Sequence, residues 1–485
     1  MSGSGPSIFN LFLENSRRDA DHVAIFGREI FPITYRELML LTKSFVDQLE
    51  DRKIVSGEPV AVALRPSAKF FATVLALMSR GLTVVLVDPA LGAGTTARLL
   101  QSINCWIILT STRLKFVLRC FPSLWRLSIL SLNHRPICEE GKGEIIPLPP
   151  KCHDAIISFT TGSTGQVKMV RRDHRVLYAQ HGIIRQYWPP KVGSRELNFF
   201  PVFGFHALCI GSTVIIPRAR LGAKDFADVI AKQIREDGVT RIAAPPSALR
   251  SICAHLDRNQ GAPFTAVEQY TTGGSVVTPG LCQAMARHFP SADGLVVYGN
   301  TEAEPITVTK ASEVASDESD FGYLLGKPIP EISFSIRPVP DLGVFSQEQR
   351  EPIGRLFVSG PHAAGVEIDT GDIVCFDRVG RLFLIGRHSD LLRNRAGALV
   401  APLPIEIRLS RILMEGELAL VQVGDRCTLY VEDSSVRHVA KNKSEISSIL
   451  DEYSLSARVK GIRSLPRDSR QRSKIDRVAL RGKRR

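Results

Sequence analysis

The sequence predicts an α/β protein: a large N-terminal domain of helix-covered, mostly parallel sheets with a small β subdomain, followed by a small α+β C-terminal domain. Three observations carry this expectation. Short apolar β-runs alternate with helical stretches up to Asn300, the pattern of parallel strands joined by crossover helices. From Gly322 the texture changes to alternating strands broken by Gly and Pro, as in an antiparallel unit. After Arg387 a separate stretch combines two strands with a helix. The boundaries are therefore set at 1–387 and 388–485, with the β subdomain at 322–387.

Taken in order, Tyr35 to Leu49 has apolar residues at helical spacing, and Pro59 to Leu64 reads as a buried strand. Lys69 to Met78 is the next helix and Thr83 to Val87 the next strand, turned by Asp88-Pro89. Further strands are expected at Trp106–Leu109, Ala155–Ser158, Ser212–Pro217, Arg241–Ala244 and Gly294–Tyr298. Ile332–Arg337, Gly354–Ser359 and Gly380–Ile385 supply the antiparallel unit. Leu418–Val423, Thr428–Val431 and the helix Lys443–Tyr453 supply the last one. Cys105 to Leu132 stands apart, being rich in Trp, Phe, Leu and Ile with Arg113, Lys115, Arg119 and Arg126 interspersed. Two readings compete there. The expected one is a core-packed helix with a solvated basic edge; the other is a stretch lying on a membrane surface, a peripheral contact.

Composition narrows the class. The chain has 485 residues, 44% of them apolar and 23% charged, which excludes a disordered or collagen-like chain and allows a large core. Nine scattered cysteines form no C-x-x-C pair, so neither a local zinc site nor a redox motif is expected. Free thiols fit a reducing cytosol, and a cytoplasmic location is expected. The opening residues meet acidic side chains before any apolar core develops, and Phe70–Val87 is interrupted by Ser79-Arg80-Gly81. Neither a leader nor a spanning segment is therefore expected. The net charge is +13, and Val436 to Arg485 holds fifteen Lys/Arg against five Asp/Glu. Such a tail suits a phosphorylated cofactor or an acidic carrier protein; without a nucleic-acid motif beside it, no nucleic-acid partner is expected.

The most informative segment is Phe159-Thr-Thr-Gly-Ser-Thr-Gly-Gln-Val-Lys168, which follows the apolar strand Ala155–Ser158. Its glycines let backbone N–H groups approach a polyphosphate, its hydroxyls can surround the oxygens, and Lys168 adds a point charge. It lacks the G-x-x-x-x-G-K-[ST] spacing of a Walker A loop.

This loop resembles the phosphate-binding segment of the adenylate-forming enzymes, which include acyl-CoA synthetases, luciferase and peptide-synthetase adenylation domains. Further stretches match the family's motifs in order: Tyr298-Gly-Asn-Thr-Glu302, Gly326-Lys-Pro-Ile-Pro330 with Ile353–Pro361, Thr370-Gly-Asp372 with Gly386-Arg387, and Pro466–Arg477 around Lys474. Thr34–Leu38 and Val84–Pro89 also fit. The resemblance implies ATP and Mg²⁺ as partners and attack of a carboxylate on the α-phosphorus, with release of pyrophosphate. It assigns Thr161, Gly162, Ser163, Thr164, Gly165 and Lys168 to the β/γ-phosphates, Thr301 to the α-phosphate and Glu302 to Mg²⁺. Tyr298 would stack on adenine beside Gly273-Gly274, while Asp372 and Arg387 would hold the ribose. Lys474 would act as the catalytic cation between carboxylate and α-phosphate. The resemblance also makes the C-terminal domain mobile about a hinge at Ser389 or Asp390.

Met169 and Ser473 depart from the family's usual glycines, which bears on rate and on the second half-reaction. Amino-acid-activating members carry an Asp in the segment that here reads Phe199–Leu208 and has no acid; a buried ammonium would go unpaired. An uncharged acyl tail is expected, with Phe203, Phe205 and His206 lining its pocket; His206 is equally readable as a core histidine. The expected substrate is a fatty or 3-hydroxy fatty acid, and the expected acceptor the thiol of coenzyme A or a carrier-protein phosphopantetheine. Phe200–Phe203, Tyr298–Ile306 and Val87–Gly92 also resemble the β-lactone synthetases of olefin biosynthesis, which would close a 3-hydroxy acyl-adenylate on itself. A third alternative is a relative that binds nucleotide or acyl groups without turnover.

Overall fold

The computed structural model describes residues 7–27, 31–54, 57–88, 91–133, 154–161, 167–343, 350–413, 417–432, 438–468 and 474–482. Its described residues fall into two compact units, one drawn from Met1–Thr161, Val167–Ala244 and Arg258–Tyr270, the other from Pro245–Asp257 and Thr271–Arg485. The expected boundary between Arg387 and His388 lies inside the second unit.

The first unit contains a six-stranded sheet in the order Ser128–Leu130, Ile107–Thr110, Pro59–Ala63, Thr83–Leu86, Asp154–Thr161, Val167–Asp173. All its pairs are parallel except the last. Arg195–Asn198 pairs in parallel with both Thr213–Ile215 and Arg241–Ala244, and Val23–Phe26 adds to Thr213–Ile215. The parallel strands are buried on both faces, as their near-continuous apolar runs require. The helices Tyr35–Asp51 and Ala68–Ser79 pack into this core through Phe45, Phe70, Phe71 and Leu75. The early Thr34–Leu38 stretch has a local physical role: Glu37 N donates to Thr34 Oγ1 at 3.1 Å while Thr34 N donates to Glu37 Oε2 at 2.8 Å. This reciprocal cap starts the helix and contributes about 1 kcal/mol.

One expectation is corrected here. The helix within Cys105–Leu132, Thr112–Arg119, buries none of its residues, so it is not a core-packed helix. Leu114 and Leu118 are only half-covered, and the segment is held down from outside the helix by Leu124 and Leu127.

In the second unit, Asp293–Asn300 and Ala303–Lys310 form an antiparallel hairpin. A five-stranded sheet follows, in the order Tyr323–Gly326, Leu382–Arg387, Ile368–Phe376, Arg350–Ser359, Ser333–Arg337, every pair antiparallel. Residues past Arg387 add a three-stranded sheet of Leu418–Val423, Arg426–Glu432 and Ala457–Ile462, covered by the helices Pro402–Leu413 and Lys443–Glu452 around Ile405, Leu420 and Ile449. Within this unit Arg250 and Arg467 converge on Glu417, and Arg411 Nη2 donates to the Glu318 and Ser319 carbonyls at 2.7 and 2.9 Å.

Candidate active site

In the first unit, Asp154–Thr161 and Val167–Asp173 pair antiparallel, with Thr161 opposite Val167 and Thr160 opposite Lys168. The stretch from Phe159 to Lys168 is therefore flanked by two paired antiparallel strands, whereas a P-loop is followed by a helix. Gly162, Ser163, Thr164 and Gly165 lie outside the described residues, as does Ser473. Lys168 and Met169 are exposed on the returning strand.

In the second unit, three of the expected residues meet. Asp372 and Arg387 sit directly opposite one another on neighbouring antiparallel strands, and Arg387 Nε lies 3.1 Å from Asp372 Oδ1. Tyr298, on the hairpin strand Asp293–Asn300, donates its hydroxyl to Asp372 Oδ2 at 2.8 Å. The local chain builds this position. Gly371 takes a left-handed φ of 72°, the Thr370 hydroxyl donates to the Leu356 carbonyl at 2.9 Å, and Asp372 N donates back to Thr370 Oγ1 at 3.1 Å. The resulting turn aims the Asp372 carboxylate at both partners. Burial of the Tyr298 phenol, reinforced by the Asp372 charge, pushes its pKa well above the ordinary value, so it remains a donor.

Gly273 and Gly274 have separate reasons to be glycine. A Cβ on Gly273 would lie 2.2 Å from the Val297 carbonyl oxygen, so only glycine lets the two backbones approach this closely. Gly274 adopts a φ of 81°. On either side of this turn, the hydroxyls of Thr272 and Ser275 are buried with no hydrogen-bond partner. Unpaired buried hydroxyls are costly, and a bound polar ring edge would satisfy them. The sequence did not single out these two residues, because lacking a hydrogen-bond partner is a property of the folded chain. The turn with its two orphan hydroxyls, the Tyr298 phenol and the Asp372 carboxylate fit a nucleoside.

Thr301 and Glu302 form the two-residue tip of the hairpin, both half-exposed. Asn300 Oδ1 accepts from Ala303 N at 2.8 Å and the Glu302 carbonyl accepts from Ala364 N at 2.7 Å, which pins the tip. Among the described residues no group of three or more His, Cys, Asp or Glu could hold a metal ion by itself. Lys474 is exposed and tied to Asp468: Lys474 N donates to Asp468 Oδ1 at 2.7 Å, and Asp468 N to the Lys474 carbonyl at 2.9 Å. Ser389 and Asp390 lie in the short helix His388–Asp390. Arg481 Nη2 donates to the Ser389 carbonyl at 2.9 Å and to Asp390 Oδ1 at 3.0 Å, and Arg477 approaches Asp390 at 3.5 Å.

The segment expected to line an acyl pocket is the helix Pro201–Ile210 of the first unit. Phe205 packs on Phe70 and Phe71, and Phe203 on Trp188. His206 is buried; its Nε2 lies 3.1 Å from the Trp188 carbonyl and its Nδ1 3.0 Å from His181 Nδ1. A carbonyl only accepts, so His206 carries its proton on Nε2 and His181 donates from Nδ1. Burial pushes these imidazoles down to about 3 for His206 and about 4 for His181, which keeps both neutral. The buried acid Glu196 accepts from Trp188 Nε1 at 2.9 Å and faces Arg241.

Residues 12–365 match the model of the AMP-binding enzyme family. The chain belongs to this family. It is 25% identical to an olefin β-lactone synthetase of Stenotrophomonas maltophilia over 448 residues, covering 82% of this chain and 80% of that one. Its fold is that of the amide bond synthetase McbA from Marinactinospora thermotolerans, with a TM-score of 0.80, 18% identity and coverage of 98% and 99%. It is also that of the Bacillus subtilis o-succinylbenzoate CoA synthetase bound to its acyl-adenylate, with a TM-score of 0.77, 18% identity and 99% coverage of both chains. The latter enzyme has also been solved with ATP and a magnesium ion. This adenylate-forming ligase chain thus has the mixed α/β fold expected of it. No helix among the described residues is long and apolar enough to cross a membrane.

Proposed function

We propose that this chain uses ATP to activate a fatty acid as its acyl-adenylate, releasing pyrophosphate. The observation that carries the reading is the Tyr298–Asp372–Arg387 cluster in the same unit as the Gly273-Gly274 turn and its orphan hydroxyls. Asp372 accepts from the ribose hydroxyls, with Arg387 fixing the carboxylate and Tyr298 closing its other side. The hydroxyls of Thr272 and Ser275 take the polar edge of the base. Thr161, Ser163, Thr164 and Lys168 hold the phosphates, and Thr301 contacts the α-phosphate. Glu302 would hold a Mg²⁺ ion, which would supply neutralisation of phosphate charge there. Lys474 brings its cation to the carboxylate and α-phosphate when residues 388–485 pivot at Ser389 or Asp390, with Arg477 and Arg481 holding Asp390 to the pivoting residues. The helix Pro201–Ile210 offers no acid to an ammonium, and Glu196 is already engaged, which favours an uncharged acyl chain.

The first acceptor reading is a thiol, that of coenzyme A or a phosphopantetheine. A second is favoured by the likeness to the olefin β-lactone synthetase: ring closure by the 3-hydroxyl of the acyl-adenylate itself. Pyrophosphate release with ATP, Mg²⁺ and 3-hydroxy fatty acids, with and without coenzyme A, separates them. Sustained turnover without thiol supports ring closure; turnover that waits for coenzyme A supports the ligase. Lys474→Ala is expected to lower release at least about 100-fold. Unchanged release in that variant would overturn the role of Lys474, and no release with any fatty acid would overturn the substrate class.

A further inference from the structure

The segment that failed to enter the core presents an unusual surface. Trp106 is 46% exposed, Phe116 64%, Val117 53%, Phe121 43% and Trp125 70%, all within one short stretch of the first unit. On the helix Thr112–Arg119, Arg113, Phe116 and Val117 lie at i, i+3 and i+4 and share one exposed face, which Cys120 continues at the C-cap. The opposite residues, Leu114 and Leu118, turn inward, and buried Leu124 and Leu127 anchor the following turn. Trp125 and Phe121 are thereby held outward by a fixed backbone. The Trp125 indole donates its N–H to the Arg119 carbonyl at 2.8 Å, so the ring enters an apolar layer with no unmet donor.

The charge along this stretch of the chain has one sign. No Asp or Glu occurs between Asp88 and Glu139, whereas Arg98, Arg113, Lys115, Arg119 and Arg126 all do. Arg98, Arg113, Arg119 and Arg126 are exposed. Aromatic rings between long cationic side chains fit a surface with an apolar layer beneath an anionic one, where rings settle at headgroup depth and Arg stems reach back to phosphates.

We propose that residues 106–126 dock this protein on an anionic lipid surface, with Trp106, Phe116, Phe121 and Trp125 inserted and Arg113, Arg119 and Arg126 on the headgroups. The inference stands apart from the proposed reaction, and its test needs no turnover. The full chain is sedimented with phosphatidylcholine vesicles, with and without about one third phosphatidylglycerol. Binding is expected on the anionic vesicles only, to be released by high salt, and accompanied by a blue shift in tryptophan emission. Arg113→Glu with Arg126→Glu, and separately Phe116→Ser with Trp125→Ser, are each expected to weaken partitioning at least about ten-fold. The emission of buried Trp188 and the thermal midpoint check that each variant is folded. Equal binding to neutral vesicles, no binding at low salt, or folded variants that bind as the parent does would overturn the proposal. So would self-association that the Phe116→Ser/Trp125→Ser variant abolishes without any vesicle binding, which would assign the face to a second copy of the chain.

Discussion

Two aromatic-rich segments of the first unit end in opposite environments. Phe199–Ile210 enters the interior, with Phe203, Phe205, His206 and Leu208 all buried. Trp106–Arg126 leaves its rings outside. Aromatic content does not separate them; the placement of charge does. The first carries no Lys, Arg, Asp or Glu, so every face of its helix can be desolvated, whereas the second interleaves a cation with nearly every ring. Burying those rings would bury guanidinium groups without acids to meet them. The contrast can be tested by asking what each aromatic contributes to stability.

The largest effect is expected in the interior. Gly204 has no Cβ because one would lie 2.6 Å from Phe71 Cζ, and the Phe71 and Phe205 rings meet edge-on with centroids 4.9 Å apart. Phe71→Ala removes a fully buried ring from this contact and should cost about 4 kcal/mol, as the lost transfer energy plus the cavity. The measurement is the urea midpoint followed by Trp188 emission in a Trp106→Phe, Trp125→Phe background, which leaves one tryptophan in the chain. A change under about 1 kcal/mol would mean that the site collapses around the loss.

A smaller effect sits beside it. With His206 at about 3 and His181 at about 4 in the folded chain, the unfolded chain takes up protons first as pH falls below about 6.5. The pair's stability is therefore complete above about pH 6.5 and declines towards pH 4, by about 2 kcal/mol per ring at pH 5. Arg185 and Arg241 push in the same direction as burial, while Glu196, whose carboxyl burial pushes up, works the other way. The pair's share is accordingly read as a difference: the urea midpoints of the parent and of His181→Gln/His206→Gln should converge from pH 7 to pH 5. Parallel profiles would mean that both imidazoles titrate normally.

The same physics explains what could be read from the sequence. The strands at 59–63, 83–86, 107–110, 241–244 and 382–387 were legible because continuous or alternating apolar runs leave few other solutions. The meeting of Asp372 with Arg387 was legible only through family motifs; their cross-strand register depends on the turn between Phe376 and Leu382, which no residue pattern in either motif encodes. The donation from Tyr298 to Asp372 was hidden, because it joins residues far apart in the chain. Thr272 and Ser275 were hidden for another reason: being buried without a partner is a property of the folded chain alone. The exposed helix Thr112–Arg119 was misread because its Leu and Phe spacing suits a core, while the absence of acids across Pro89–Cys138 was the signal against that reading.

The smallest expected effect is the sharpest test of the contrast. Trp125 and Phe116 are two of the larger side chains in the unit, and composition alone would rank their loss with that of Phe71. Their exposure says otherwise: about two thirds of each residue is already in water, so its removal forfeits far less burial than the loss of Phe71. The hydrogen bond from the Trp125 indole to the Arg119 carbonyl is lost to solvent on both sides, at little net cost. Phe116→Ser with Trp125→Ser should therefore lower stability by about 1 kcal/mol, well below the loss at Phe71. A loss as large as that of Phe71→Ala, about 4 kcal/mol, would mean that these rings are packed against something in solution, and the outward face would then belong to the core after all. A small loss, combined with lost vesicle binding in the same variant, leaves the rings with little work in folding and assigns their main role to the surface they meet.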